Sequence, residues 1–472
     1  MEKSTLLGPE QVESVHDASL EILERVGLLV RNREARARFA AHGCRVDGQT
    51  AIVRFPRAVV EEHRRAFPAT FTFHGRDPDL DRTVPDDGPL MMTGSAAPDV
   101  VDPTTGQVRR SLSADVARIA HLVNALDGYD ILSIPTTADD APPGRVGLAR
   151  FYPALKHCLK PIRGSAPDLQ DADDVLEMGA LIAGGRDAFR ARPFVTFVYC
   201  ATISPLTMDV ESTEKLMRFA ERGIPSHGVV TPNAGVSAPL TLLATLVVAN
   251  AEFLAQSVLA QICRPGTPLL YDVVPTVSDM RTGAYAPGAV ETGMLCMACA
   301  QMARFYGVPS AGFVGLTNAK VNDAQAGYET GLSTMAALLG GLDMLAMGGL
   351  LDALMAFDFG KAVVDHEIAL MLKRVDRGLE FSRENLALDL IADVGPGGIF
   401  ADRRHTLAHM RTEAVLPEIA DRRPRDQWAA DGARDAHSRA LEKAQEILGR
   451  DNPALISPDV DAAIRSRLQI DF

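Results

Sequence analysis

Short apolar runs with β-strand character alternate along this chain with longer stretches whose apolar positions return every three or four residues. The short runs fall at Leu90–Thr93, Asp130–Thr136, Pro161–Ser165, Phe194–Thr202, Pro225–Val230, Pro268–Val274, Ala311–Gly315 and Met344–Leu350. Between and after them the helical period appears at Ser113–Leu126, Val146–Leu159, Asp171–Ile182, Ser212–Arg222, Leu240–Ile262, Ala289–Tyr306, Ala324–Leu339 and Lys361–Val375. Such alternation predicts an α/β fold with a parallel sheet covered on its faces. Eight units within residues 89–376 favour a closed (β/α)8 barrel over a doubly wound open sheet, although periodicity alone does not establish closure.

Two regions fall outside the repeat. Residues 1–88 predict an N-terminal helical cap, with amphipathic patterns in EQVESVHDASLEILERVGLLV, REARARFAAHGC and PRAVVEEHRRAF and a short strand at Phe71–His74. Residues 377–472 predict a C-terminal helical extension, with a turn at Val394–Phe400 and helices over Arg425–Leu448 and Pro458–Arg467. No Ser/Gly-rich linker divides these parts from the barrel, so one integrated domain is expected.

Composition narrows the function classes. A net charge of −13 opposes non-specific nucleic-acid binding, and short basic stretches such as Arg422–Arg425 read as a solvated face. There is no secretory h-region, and no apolar run of spanning length is free of small or polar residues; a cytoplasmic protein without a membrane partner is the expectation. Six scattered cysteines predict no disulfide framework.

The richest polar cluster is AGFVGLTNAKVNDAQAGYE at Ala311–Glu329, where an apolar run breaks into Thr317, Asn318, Lys320, Asp323, Gln325 and Glu329 and then re-enters a helix. Strand, polar loop and helix in that order mark the mouth of a βα unit, where α/β proteins place their chemistry. Other predicted strand ends add Ser95, Asp139, Asp140, Tyr199, Thr202, Thr231, Asn233 and Asp272. This mouth offers no evident metal set, His227 being its main imidazole, so metal-free chemistry is expected. Phe357-Asp358-Phe359 puts two rings beside a carboxylate, a combination suited to a quaternary ammonium; two buried phenylalanines anchoring a loop is an equal alternative. Cys296 and Cys299 lie in an apolar helix pattern and predict core packing. His405 and His409, one turn apart, lack the carboxylate of an HExxH site. Asp365-His366-Glu367 near the mouth is a weaker acid/base candidate, and neither a GxSxG elbow nor a Walker loop is present.

Taken together, ASLEILERVGLLV at Ala18–Val30, FPATFTFHGRDP at Phe67–Pro78, DPTTGQVRRSLSADVARIAHLVNALD at Asp102–Asp127, Lys160-Pro161, NAKVNDAQAGYE at Asn318–Glu329, VVDHEI at Val363–Ile368, VGPGGIFADRRHTLAHMRTE and the later Trp428 resemble the trimethylamine methyltransferase superfamily over nearly the whole chain. The resemblance implies a TIM-barrel methyltransferase whose substrate sits at the C-terminal mouth below a docked acceptor. Founding members that demethylate trimethylamine carry a pyrrolysine in the barrel, whereas this chain is written in the standard twenty residues. That departure implies a quaternary amine substrate such as glycine betaine, carnitine, proline betaine or γ-butyrobetaine.

The implied reaction is in-line transfer of a methyl group to the cob(I)alamin corrinoid of a small partner protein. Gln325 and Glu329 become the candidate catalytic groups, with bracing of the loop as the alternative. Thr317, Asn318, Lys320, Tyr199, Thr231, Asp272, Phe357 and Phe359 become candidate substrate contacts, Asn318 and Lys320 for a carboxylate, although Lys320 has Glu329 as a competing partner. No directly bound metal is expected, and a homo-oligomer is. Tetrahydrofolate as the direct acceptor, a lyase or aldolase using Lys320 as a Schiff base, and a non-catalytic binder of methylated amines are the remaining alternatives.

Overall fold

Eight short parallel strands form the centre of the computed structural model, which describes residues 3–470. They are β1 Leu90–Thr93, β2 Leu132–Ser133, β3 Ile162–Gly164, β4 Val195–Tyr199, β5 Ser226–Val230, β6 Tyr271–Val273, β7 Ser310–Phe313 and β8 Met344–Gly348. The hydrogen-bonded order is β1-β8-β7-β6-β5-β4-β3-β2. A parallel bridge between Met92 and Ile131 joins the two ends and closes the barrel. The helices that follow are α1 Ser113–Asn124, α2 Val146–His157, α3 Leu169–Ile182, α4 Glu211–Arg222, α5 Leu242–Cys263, α6 Val290–Tyr306, α7 Ala324–Gly340 and α8 Phe359–Arg377.

Several strands are shorter than their apolar runs. Asp130–Thr136 narrows to Leu132–Ser133, and Val314 lies beyond β7, because the chain turns at Gly315 with φ +69°. A Cβ at Gly315 would come within 2.7 Å of Met347 Cβ, so close approach of β8 also requires glycine there. The predicted helix Arg425–Leu448 divides in two at Gly432, φ +90°, and restarts at Asp435, whose side chain accepts from Ser438 N at 2.7 Å.

α5 explains how the N-terminal cap attaches. Its 22 residues carry apolar side chains on every face, with a few buried polar ones such as Asn250 among them, which a helix needs only when it is covered nearly all round. By length and hydropathy it is the one helix among the described residues that could cross a membrane, yet 78% of its most apolar window is buried within this fold. The barrel covers one side; cap helices Pro9–Arg25 and Arg57–Arg64 pack on the other. Asn250 inside that interface donates to Ser19 Oγ at 2.9 Å and to Tyr306 OH at 2.8 Å, and accepts from Tyr271 OH at 3.0 Å, so cap and barrel share one satisfied polar network.

The opposite flank is covered by the C-terminal helices. Ala436–Leu448 packs on α8 and α1, and Pro458–Leu468 on α3, with Asp461 accepting from Tyr152 OH at 2.6 Å and Lys156 Nζ at 2.8 Å. A hairpin, Phe71–Phe73 with Arg82–Val84, sits under the strand starts, where Arg76 N donates to Leu159 O at 2.7 Å. At the strand ends the loops build small sheets: Asp99–Val101 and Val108–Arg110 with Leu350–Leu351 and Ala356–Asp358, and Asn233–Ala234 with Thr276–Asp279 and Ala284–Tyr285. These extensions wall the mouth.

Candidate active site

The loop between β7 and α7 is held by one carboxylate. Asp323 starts α7 by accepting from Gln325 N at 2.9 Å and Ala326 N at 3.3 Å. That turns Gln325 and Glu329, one helical turn apart, back towards the loop. Glu329 Oε2 accepts from Thr317 Oγ1 at 2.6 Å and Asn318 N at 2.8 Å, while Oε1 accepts from Gln325 Nε2 at 2.9 Å. Gly288 leaves room for the carboxylate, since a Cβ there would meet Glu329 Oε2 at 2.4 Å. Both oxygens are thus engaged in bracing, the alternative to a catalytic part for Gln325 and Glu329.

Asn318 ties this loop to its neighbour. Its Oδ1 accepts from Gly288 N at 3.1 Å and its Nδ2 donates to Tyr285 O at 2.8 Å. Lys320 points away: its ammonium is exposed, bonds Asn318 O at 2.7 Å and pairs with Asp352 at 3.1 Å, and Glu329 is not its partner. An exposed ammonium paired with a carboxylate lacks the desolvation that would prepare an imine-forming lysine.

A second cluster lies deeper, inside the barrel. Arg163 of β3 donates from Nε to His227 Nε2 at 3.1 Å, from Nη1 to Ser133 Oγ at 3.0 Å and from Nη2 to Asp272 Oδ2 at 2.9 Å. Arg163 and Asp272 are 0% exposed and His227 is 1% exposed. Because Nε2 accepts, the imidazole is neutral with its proton on Nδ1. Burial, joined by the Arg163 charge, lowers the His227 pKa against the pull of Asp272. For Asp272 burial acts to raise the pKa, but the contact with His227 and the charge of Arg163 outweigh it and hold the carboxylate below its usual range.

Two atoms of this layer have no partner. His227 Nδ1 lies 3.3 Å from Asp272 Oδ2 without forming a hydrogen bond, and Asp272 Oδ1 is likewise unpaired. Thr136 Oγ1 and Thr202 Oγ1, just past the ends of β2 and β4, are also buried and unpaired. Buried donors and acceptors are rarely left orphaned, so these four atoms mark where the interior still has hydrogen-bonding capacity to offer.

The other expected contacts separate. Thr231 is exposed directly after β5, at the same end of the barrel as Gln325. Asp272 faces the interior layer. Tyr199 turns outward onto Phe219 of α4, with ring centroids 6.2 Å apart. Phe357 and Phe359 are 0% and 1% exposed and meet edge to face at 5.4 Å, and Arg118 of α1 stands 5.1 Å from the Phe359 centroid. These two rings anchor the small sheet and α8 and offer no open face to the mouth. This corrects the expectation of an aromatic cage at these positions.

Among the weaker candidates, Asp365 is bound to Lys361 at 2.7 Å, His366 Nδ1 accepts from Gly128 N at 2.9 Å, and Glu367 accepts from Glu418 N, Ile419 N and Ala420 N. All three are structural. Burial pushes the Cys296 thiol up to about 12, as an inert core cysteine requires. No three His, Cys, Asp or Glu side chains converge as metal ligands among the described residues.

The missed residue had a readable signal. Arg163 stands in the middle of the short buried strand IRG, and His227, noted only as the main imidazole of the mouth, stands inside SHGVV, where a charged or titratable side chain has no structural reason to be unless it is partnered. Exposed apolar residues also crowd the rim and were not anticipated. Val236, Leu240 and Met280 project from the loops after β5 and β6, and Met294, Tyr328 and Leu332 from the first turns of α6 and α7.

Comparisons with known proteins agree with this architecture. The profile of the family described as "Trimethylamine methyltransferase (MTTB)" matches residues 1–472. A glycine betaine methyltransferase of Desulfitobacterium hafniense is 34% identical over 98% of this chain and 96% of its own length. A trimethylamine methyltransferase MttB of the same species is 32% identical over 97% and 92%. In three dimensions the monomethylamine methyltransferase MtmB of Methanosarcina barkeri superposes with a TM-score of 0.51 over 95% of this chain and 94% of its own, at 13% identity, a likeness of fold. With a closed barrel, a braced polar loop after its seventh strand and a full-length match on both sequence comparisons, this chain belongs to the trimethylamine methyltransferase family.

Proposed function

We propose that this methyltransferase removes one methyl group from a quaternary amine of the glycine betaine type and delivers it to the corrinoid of a partner protein. The observation that carries the substrate class is the full-length similarity to a glycine betaine methyltransferase, joined to a sequence without pyrrolysine. In this reading the N–CH3 bond breaks, its electron pair stays on nitrogen, and a neutral tertiary amine leaves. The nucleophile that receives the methyl is supplied by the Co(I) corrinoid.

The chain's own part is positioning and electrostatics. Asp272 and Arg163 neutralise each other and His227 is uncharged, so the interior layer carries no net charge. A strongly anionic floor would favour the charged ground state over a transition state whose nitrogen is losing charge; a neutral one avoids this. The orphaned His227 Nδ1–H and the Thr136 and Thr202 hydroxyls supply donors for a carboxylate. The braced β7–α7 loop keeps the mouth rigid. Alignment of methyl and nucleophile is worth on the order of several kcal/mol of barrier. The apolar rim around Val236, Leu240 and Met280 fits docking of a protein that carries a flat macrocycle.

The test is a methyl-transfer assay in which glycine betaine, carnitine, proline betaine and trimethylamine are offered with reduced cobalamin. Loss of the Co(I) absorbance with a betaine, and formation of the demethylated amine, is expected. Methylation of tetrahydrofolate in the absence of any corrinoid would replace this reading with direct transfer.

A further inference from the structure

Past β8 the chain makes a hairpin, Leu350–Leu351 against Ala356–Asp358, and turns it with the unfavoured hand. Asp352, Ala353 and Leu354 have φ of +51°, +53° and +77°, and Met355 N donates to Leu351 O at 3.1 Å, which closes one turn of left-handed helix. No other two non-glycine residues with positive φ are neighbours in sequence among the described residues. A left-handed run brings each Cβ against the following carbonyl, so three L-residues in succession persist only where their surroundings impose it. The hairpin itself does not: Leu351 and Ala356 already pair, and two residues would suffice to join them. Glycine would remove the strain, but at two of the three positions it would also remove a side chain in use, since Asp352 pairs with Lys320 at 3.1 Å and Leu354 packs against the main core.

We propose that Asp352, Ala353 and Leu354 are positioning residues, a strained turn that fixes the β7–α7 loop for methyl transfer. Its first two amides are directed at that loop: Asp352 N donates to Ala319 O and Ala353 N to Thr317 O, both at 2.8 Å. From α7, Glu329 takes Thr317 Oγ1 and Asn318 N; Ala319 N donates to Thr317 Oγ1 at 2.9 Å, and Lys320 Nζ bonds Asn318 O. The carbonyls of residues 317, 318 and 319 and the amides of 318 and 319 are then all engaged, which leaves the loop no slack once turn and carboxylate are both in place. Ala319, Ala326 and Leu351 also share one small buried cluster, so turn, loop and the start of α7 form one body. The inference rests on the reading of this mouth as the place of methyl transfer, where a misplacement of about 1 Å costs on the order of a hundredfold in rate.

Two variants separate the strain from the hold. Ala353→Gly is expected to raise the urea midpoint, the reverse of what glycine does at a right-handed position. Replacing Asp352–Met355 by Asn-Gly keeps the Leu351–Ala356 pairing and removes both donors. With an unchanged circular dichroism spectrum, that shortened chain should exchange the amides of residues 317–322 about tenfold faster or more in the absence of substrate. Its kcat for demethylation of glycine betaine with reduced cobalamin should fall about tenfold or more while KM stays within about threefold. A midpoint lowered by Ala353→Gly, loop amides as protected in the shortened chain as in wild type, or an unchanged kcat would each overturn the proposal. Glycine betaine left intact by the wild-type chain would instead overturn the methyl-transfer reading, and the midpoint and exchange results would still decide whether the turn holds the loop.

Discussion

Arg163 Nε donates to His227 Nε2 across 3.1 Å inside the barrel, and this contact fixes which nitrogen of the imidazole carries the proton. The same guanidinium is the counter-charge of Asp272. Arg163→Met should therefore cost about 3–5 kcal/mol, the usual cost of stranding one partner of a buried pair, measured by denaturant unfolding. Adding Asp272→Asn should recover part of that loss. If the two losses simply add, the residues do not act as a pair.

The bracing part of Glu329 separates from a chemical one by where the damage appears. Glu329→Ala frees Thr317 Oγ1, Asn318 N and Gln325 Nε2, so amides of residues 315–322 should exchange faster with solvent in the substrate-free protein. A loop as protected as in wild type, in a variant that has lost turnover, would instead point to direct contact with the reacting groups.

Glu252 on α5 is fully buried, accepting from Ser204 Oγ at 2.6 Å and Leu206 N at 2.7 Å, and burial pushes its pKa up to about 7. A carboxyl raised in the folded state contributes stability below its unfolded value near 4.5 and loses it as pH rises towards about 7. Glu252→Gln should match wild type at pH 4–5 and exceed it at pH 8 by on the order of 3 kcal/mol. Equal stability of the two proteins at both pH values would place the carboxylate in a wetter site than this one.

His366 behaves with the opposite sign. Burial lowers its pKa to about 4, and its Nδ1 accepts a backbone N–H, which the protonated ring cannot do. Its contribution is full above the unfolded value near 6.5 and is lost as pH falls towards about 4. A chain with His366→Asn should show a flatter fall in urea midpoint across that window, and an unchanged slope would remove His366 from the acid response.

Phe357→Leu and Phe359→Leu should lower stability by about 1–3 kcal/mol while leaving the ratio of affinities for a quaternary amine and its neutral tert-butyl isostere unchanged, because both rings are enclosed. A selective loss of the cation would reinstate them as recognition residues.

All eight barrel strands and their helices were legible because parallel strands buried on both faces leave continuous apolar runs, and glycines such as Gly315 mark their ends. The polar loop Thr317–Glu329 was legible for the same reason, since polarity concentrated after a buried strand stands out. Direction was not. Tyr199 and Phe357 follow strands as mouth residues do, but whether a ring turns in or out is decided by the pleat and by neighbours such as Phe219 and Gly349, which a sequence does not place beside them. The trio Arg163, His227 and Asp272 is scattered over 110 residues and meets only because β3, β5 and β6 each turn one polar side chain inward.

The long, predominantly apolar helix Leu242–Cys263 gives the chain a particular order of manufacture. The cap segments that cover its outer side, residues 9–64, leave the ribosome before it does, so this long apolar helix emerges when its cover has already been made. A chain begun at residue 89 would make that helix with half its shelter missing, and would be recovered as a precipitate or bound to chaperones while retaining every residue of the barrel.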